Sequence, residues 1–226
     1  MEDLKLLTEQ LGITFNNPAL LEQALVHRSY LNEHELTMGH NERLEFLGDA
    51  VLELIVSNFL YQQFPDKPEG DLTAIRAALV RRETLRDVAE ELEFHKFIKL
   101  SKGEAKSAAN QAAILSNAVE AVIGAIYLDL GLPAAEKFIQ QFIIPKTDTI
   151  MASQTYIDAK SHLQELTQEK EGITPIYKVT NESGPDHNKI FEVAVFIGNK
   201  ELARGTGNSK QAAETDAAAH ALIRYE

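Results

Sequence analysis

Apolar positions recur at helical spacing through the first two thirds of the chain. Leu4 to Leu11 and Ala19 to Val26 form short amphipathic segments. Asn41 to Phe64 is a long helical stretch, ended by Pro65 and the turn-rich string PDKPEGD. Leu72 to Leu92 predicts a second long helix, with Asp71 as its N-cap and arginines at 76, 81, 82 and 86. A third runs from Ala108 to Leu130 and stops at Gly131, with Pro133 beyond it. A fourth spans Ala134 to Ile143. No strand-like alternation interrupts residues 1–148, so an all-α helical bundle is expected there.

The period then changes. TDTIMASQT, Thr147 to Thr155, is small and polar, and residues 149–156 are expected to be a linker. Asp158 to Lys170 is helical. Ile176 to Thr180 and Ile190 to Ile197 are β-branched and aromatic in the manner of strands. Gly198-Asn199 is a hairpin turn leading to a third strand near Glu201 to Thr206, and alanine-rich Lys210 to Tyr225 closes the chain as a helix. Residues 157–226 therefore predict a small α+β domain of order α-β-β-β-α.

Composition narrows the function. The chain has no cysteine, which excludes a disulfide framework and any cysteine nucleophile or zinc ligand. The first residues lack the basic start and apolar run of a secretory signal. No run of about 18 apolar residues is evident, so no membrane partner is expected and a cytoplasmic location is. The net charge of −12 argues against phosphate binding over the whole surface. Any nucleic-acid contact has to be local, and an acidic total is also what clustered metal-binding carboxylates produce.

Two acid-bearing helices stand out. In HNERLEFLGDAVLEL, Glu42, Glu45 and Asp49 fall at i, i+3 and i+7 on one helical face, while Leu44, Leu47, Val51 and Leu54 point elsewhere. A solvated acidic face is the ordinary explanation of such a stripe. Against it, no lysine or arginine follows at i+4 to compensate the charge. In ILSNAVEAVIGAIYLD, Asn117 and Glu120 share a face of a helix apolar enough to be buried, and a buried carboxylate needs a partner. Were the two helices to pack, the oxygens would form a hard site suited to Mg²⁺, with Mn²⁺ as a substitute. Such a site can activate water against a phosphodiester. A di-iron bundle would use the same geometry, but those sites need Glu-x-x-His pairs that are missing here.

NERLEFLGDAVLEL resembles the signature motif of the ribonuclease III family. EGDLTAIRAALV and ILSNAVEAVIGAIYLD resemble that family's next two motifs, in order. DAKSHLQEL, GPDHNKIFEVAV and GTGNSKQAAETDAAAHAL resemble a double-stranded-RNA-binding domain. The resemblance implies a homodimeric, Mg²⁺-dependent endoribonuclease that cuts double-stranded RNA in a staggered way. It implies 5′-phosphate and 3′-hydroxyl ends and roles in rRNA and mRNA processing. By position it makes Glu45, Asp49 and Glu120 metal-binding acids, with Asp49 and Glu120 catalytic. Glu42 and Glu69 are further acids of the catalytic valley, and Phe46 is the aromatic inserted into the partner subunit. Asn117 departs from the family's usual aspartate. It offers one neutral carbonyl oxygen to a metal, and a weakened or inactive RNA-binding homologue is the alternative reading.

For the RNA-binding domain the resemblance points to Ser161, His162, Gln164 and Glu165 on the first helix and His187 in the loop before the second strand. It adds Asn208, Ser209 and Lys210 at the start of the last helix, where amides and a lysine can hold a phosphate. A second basic residue frequent in the family is Gln211 here. Residues 157–226 hold 8 Lys+Arg against 11 Asp+Glu, a net −3. Modest affinity with a shallow salt dependence is expected.

Overall fold

The computed structural model describes residues 2–106, 110–153, 159–185 and 189–225. The chain divides into two compact units, Met1–Tyr156 and Ile157–Glu226.

The first unit is helical: α1 (Glu2–Leu11), α2 (Pro18–Ala24), α3 (Glu42–Gln63), α4 (Glu69–Val80), α5 (Arg82–Glu91), α6 (Gln111–Leu130), α7 (Leu132–Phe142) and α8 (Lys146–Ser153), with a short 3-10 turn at Arg28–Asn32. Its centre is α6, whose Ala118, Val119, Ala121, Val122, Ile123 and Ile126 are completely buried. α6 is long and apolar enough to cross a membrane by length and composition, contrary to the expectation that no such run exists. Most of it is enclosed by the helices around it, as a helix apolar on all sides is in a domain core.

α3 is the main partner of α6. The two meet backbone to backbone at two glycines. A Cβ on Gly48 would lie 1.7 Å from the Glu120 carbonyl oxygen, and one on Gly124 would lie 2.2 Å from that of Leu44. Leu44, Val51, Leu52, Ile55, Val56 and Leu60 fill the core on either side. Leu54, which lies off the acid stripe, is 58% exposed. Asp129, at the end of α6, accepts from the backbone N–H of Asn16 (2.6 Å) and Asn17 (3.0 Å) and so anchors the start of α2.

Three sequence expectations need correction. The helix expected over Leu72 to Leu92 is two helices, because Arg81 is extended (φ −64°, ψ 156°). The break turns both apolar faces inward, Ile75 and Leu79 from α4 and Leu85 and Val88 from α5, and the buried Thr84 hydroxyl donates to the Ala78 carbonyl at 2.7 Å. Asp71 is not the N-cap. α4 begins at Glu69 after Pro68, whose fixed φ suits a helix start, and Asp71 pairs with Lys67 at 3.1 Å within the first turn. The expected linker is largely α8, since Thr147 and Ile150 are buried against the bundle and Lys146 pairs with Glu91. The burial of Thr147 and Ile150 holds that segment as helix despite its polar look.

The second unit comprises α9 (Ala159–Glu171), β1 (Ile176–Ser183), β2 (Ile190–Ile197), β3 (Lys200–Gly207) and α10 (Lys210–Tyr225). The strands form an antiparallel sheet in the order β1-β2-β3. Ile197 pairs with Lys200 across Gly198-Asn199, and Gly198 takes φ +58°. α10 lies directly on β3. A Cβ on Gly205 would come within 2.0 Å of the Ala217 nitrogen, and one on Gly207 within 2.5 Å of the Ala213 nitrogen. Alanines 213, 217, 218 and 221 keep the helix face flat enough for that approach.

Gly48→Ala and Gly124→Ala are each expected to destabilise the protein by about 3 kcal/mol or more, since no side chain can yield where backbone meets backbone. Gly70→Ala, with open space around its Cβ at the start of α4, is expected to be neutral or stabilising by up to about 1 kcal/mol. Denaturant unfolding of the three variants measures this, and a Gly48→Ala protein as stable as wild type would refute the close crossing.

Candidate active site

The glycine contact sets which side chains face one another. Glu45 and Asp49 flank Gly48 on α3, and Asn117 and Glu120 precede Gly124 on α6. Their mutual influence is visible in their proton affinities. Burial pushes the Glu120 carboxyl up to about 8, with the charges of Asp49 and Glu45 adding to the effect. Burial raises Glu45 as well. A hydrogen bond from the Asn117 side chain opposes that, and the charges of Glu42 and Asp49 reinforce it. Glu45, Asp49 and Glu120 are therefore electrostatic neighbours, with Glu42 reaching Glu45 and with Asn117 between the helices.

The start of α3 is held by the segment before it. The buried Asn41 donates its backbone N–H to the Val26 carbonyl at 2.9 Å and accepts from the N–H groups of Leu44 and Glu45, each at 2.9 Å. Val26 bridges in parallel to Lys99. This brings His27, Arg28 and His40 to the rim of a concavity of about 1010 Å³ that also includes Glu42, Glu45 and Asn117. Arg28 lies 3.4 Å and His40 3.8 Å from the Glu42 carboxylate, exposed pairs worth less than about 1 kcal/mol. The His27 ring stands 2.8 Å from the Ser29 hydroxyl, and burial lowers its pKa, favouring the neutral imidazole.

Sequence reasoning missed this rim and the glycines that set the crossing. The signal was a single glycine in each of two otherwise apolar helices, three residues after Glu45 and four after Glu120. Glu69 is not shown interacting with the other acids among the described residues. It stands exposed at the first turn of α4, accepting from the Thr73 hydroxyl at 2.9 Å. Phe46 is 80% exposed beside Glu45.

Among the described residues, no three His, Cys, Asp or Glu side chains converge closely enough to hold an ion as they stand. The donors nevertheless fit a hard divalent cation. They are oxygen atoms only, they lie on two helices held at a fixed crossing, and a cation would offset the burial and the neighbouring charges that raise Glu120.

In the second unit, Ser161, Gln164 and Glu165 lie on the exposed face of α9, with His162 half-buried beside them, opposite Leu163 and Thr167. Asn208 and Lys210 are exposed at the start of α10. Lys210 lies 3.6 Å from the Glu182 carboxylate and over the Phe191 ring. Ser209 is a helix cap, its hydroxyl accepting from the Ala212 N–H at 3.1 Å. His187 lies outside the described residues.

Residues 17–147 match the family model described as ribonuclease-III-like. The chain belongs to the ribonuclease III family. Residues 159–225 match the double-stranded RNA binding motif. The chain is 45% identical to Ribonuclease 3 of Streptococcus pneumoniae strain P1031 over 98% of its own length and 97% of that protein. It is 45% identical to Ribonuclease 3 of Streptococcus gordonii over 96% of its own length and 94% of that one. The crystal structure of the Campylobacter jejuni ribonuclease III nuclease domain superposes with a TM-score of 0.59 at 37% identity, over 65% of this chain and 97% of that one. The helical unit thus has the ribonuclease III nuclease fold, followed by a three-stranded sheet with its C-terminal helix.

Because folding raises the affinity of Glu120 for its proton, the folded state binds more protons than the unfolded chain between pH 4.5 and about 8. Stability contributed by this group is present below that window and is lost as pH rises through it. In metal-free buffer the melting temperature of wild type is expected to fall from pH 5 to 8, and that of Glu120→Gln to fall less, with Glu45 supplying the remainder. Calorimetric melts across the window check this; parallel curves would show that Glu120 is not strained.

Proposed function

We propose that the protein is a divalent-metal-dependent endoribonuclease that acts as a homodimer on double-stranded RNA, leaving 5′-phosphate and 3′-hydroxyl ends. The observation that carries this reading is the facing of Glu45 and Asp49 on α3 with Glu120 on α6, in a chain whose second unit matches a double-stranded RNA binding motif.

Glu45, Asp49 and Glu120 would hold Mg²⁺, or Mn²⁺ in its place. The metal would supply an activated water and neutralise charge on the scissile phosphate. The chain's own residues do the rest. The Gly48–Gly124 contact fixes the carboxylates relative to one another before substrate arrives. Glu42 holds Arg28 and His40 at the rim, where cationic and neutral donors can meet the ribose-phosphate backbone beside the acids. In the second unit, the exposed face of α9 suits the 2′-hydroxyls of a minor groove. The start of α10, with Asn208 and Lys210, suits a phosphate.

Dimerisation is supported by the outward face of α3. Phe46, Leu54 and Tyr61 recur there at helical spacing, 80%, 58% and 76% exposed. A second structure of the Campylobacter jejuni nuclease domain, 38% identical with a TM-score of 0.56 over 62% of this chain and 94% of that one, is described by flexibility in a region involved in dimer formation. Phe46 adjoins Glu45, so a seam along this face would bring two acid sites into one valley, one for each RNA strand.

Wild type with Mg²⁺ is expected to cut long duplex RNA, and Glu120→Gln to be slower by at least about 100-fold. Uncut duplex with wild type would overturn the nuclease reading. Phe46→Ala is expected to weaken the dimer at least about tenfold in sedimentation equilibrium. Duplex affinity of the whole protein is expected to fall with salt along a log–log slope no steeper than about −4, given the net −3 of the RNA-binding unit.

A further inference from the structure

Two side chains of the concavity beside the acids hold polar atoms that are unpaired among the described residues. Asn41 stands at the N-cap of α3, a position that favours asparagine because its side chain can accept from the first turn. Here it does not: the residue is helical (φ −82°, ψ −14°), and its carboxamide has no hydrogen-bond partner among the described residues. Yet Asn41 is only 3% exposed and lines the concavity, and an amide so enclosed is ordinarily hydrogen-bonded. Its place is fixed by main chain, since its N–H donates to the Val26 carbonyl, on the peptide that leads into His27, at 2.9 Å. His27, on the same wall, is fixed in one tautomer. A backbone N–H can only donate, so the Ser29 N–H, 3.3 Å from Nδ1, makes that atom an acceptor. The hydroxyl of the buried Ser29 accepts from the Ser101 N–H at 3.1 Å and turns its own proton to the same Nδ1 at 2.8 Å. The ring proton is therefore on Nε2, which has no partner among the described residues.

We infer that His27 and Asn41 bind a ribose 2′-hydroxyl of the RNA strand beside the acids, the His27 Nε2–H donating to it and the Asn41 carboxamide accepting from it. This rests on the reading of the protein as acting on double-stranded RNA. A hydroxyl both donates and accepts, whereas a phosphate oxygen only accepts, and a fixed donor beside an amide that can accept suits the hydroxyl. Charge points the same way. The concavity is lined by the carboxylates of Glu42, Glu45 and Glu104 and by one guanidinium, that of Arg28, which already lies 3.4 Å from Glu42. Such a lining disfavours a phosphate and tolerates a neutral group. Burial lowers the pKa of His27 and so keeps it a neutral donor. The 2′-hydroxyl is what distinguishes RNA from DNA, so these two residues give the nuclease unit a part in that choice, apart from the second unit.

The test uses the full chain with Mg²⁺ in the Glu120→Gln background, where binding is read on uncut duplex. Fluorescence anisotropy gives Kd for an all-RNA duplex and for the same duplex with 2′-deoxyribose through the middle of one strand. The Glu120→Gln protein is expected to bind the deoxy duplex at least about fivefold more weakly. Adding His27→Asn or Asn41→Ala should weaken binding of the all-RNA duplex at least about threefold and change that of the deoxy duplex less than about twofold, so that the preference for ribose shrinks. Both substitutions spare the fold. His27→Asn keeps an acceptor for the Ser29 N–H, and Asn41→Ala removes a side chain without a partner among the described residues. Neither should lower the melting temperature by more than about 2 °C, and a larger fall in both would mark them as structural residues and overturn the inference. A ribose preference unchanged in both variants would overturn it by placing that preference in the second unit. Equal weakening on the two duplexes would overturn it in favour of a phosphate contact, and a dimer lost in sedimentation equilibrium in favour of a subunit contact. Failure of wild type to cut RNA would tell against the nuclease reading alone, because none of these measurements depends on cleavage.

Discussion

The contact between Gly48 and Gly124 is the constraint on which the rest of the helical unit depends. Two helices whose backbones touch cannot slide or rotate by much, because a shift of about an ångström in either direction drives a carbonyl into a neighbouring turn. Glu45 and Asp49 lie within one turn of Gly48, and Glu120 lies about one turn from Gly124. Glu45 and Asp49 sit on one side, Asn117 and Glu120 on the other, and their separation is set by main chain rather than by flexible side chains. The apolar remainder of α6 supplies the adhesion. Each fully buried isoleucine or leucine adds roughly 1.5–3 kcal/mol, and the helix is buried along most of its length.

That adhesion is what permits an unfavourable feature at the centre. Carboxylates gathered on facing helices repel one another, and their partial burial adds to the cost, which is why Glu120 retains its proton to about pH 8. The fold tolerates this because the apolar burial around α6 exceeds the penalty, and a bound cation would remove it. The rim moderates the charge further. Arg28 and His40 lean on Glu42, and the Asn117 side chain offsets part of the burial effect on Glu45. Glu120 and Asp49 show no such donor among the described residues and are where positive charge is most needed.

Much of the fold was legible because its signals are periodic. The apolar repeats of α3 and α6 and the strand-like runs of β1 and β2 announce themselves, as does the acid stripe of Glu42, Glu45 and Asp49. The misreadings came where local composition and tertiary demand disagree. Leu72 to Leu92 has no glycine or proline, so nothing in its propensities marks the extended Arg81; the break is imposed by the need to bury two apolar faces whose directions do not coincide. Thr147 to Ser153 looks like a linker by composition and is helical because Thr147 and Ile150 find room in the bundle. The rim formed by His27, Arg28 and His40 was illegible for a different reason. It depends on a single parallel bridge between Val26 and Lys99, more than seventy residues apart, which no local pattern encodes.

The second unit applies the same device at a different scale. Gly205 and Gly207 on β3 and the alanines of α10 bring a helix onto a sheet as closely as the two glycines bring α3 onto α6. Close packing by small residues leaves little apolar area per residue, so the position of α10 is also fixed by polar links. Asp216 accepts from the Thr206 N–H at 2.8 Å, the His220 ring lies 2.8 Å from the Arg204 carbonyl, and Arg224 donates to the Leu202 carbonyl at 3.0 Å. These three links run along one face of α10 at successive turns and register it against β3. A surface that recognises a duplex by shape needs this kind of rigidity more than it needs charge, because the spacing of its contact points has to match the spacing of grooves. A unit with a net charge of −3 can serve that purpose only if α9 and the start of α10 are held at fixed positions relative to each other. The pair between Lys160 on α9 and Glu214 on α10, at 2.5 Å, ties the two helices directly.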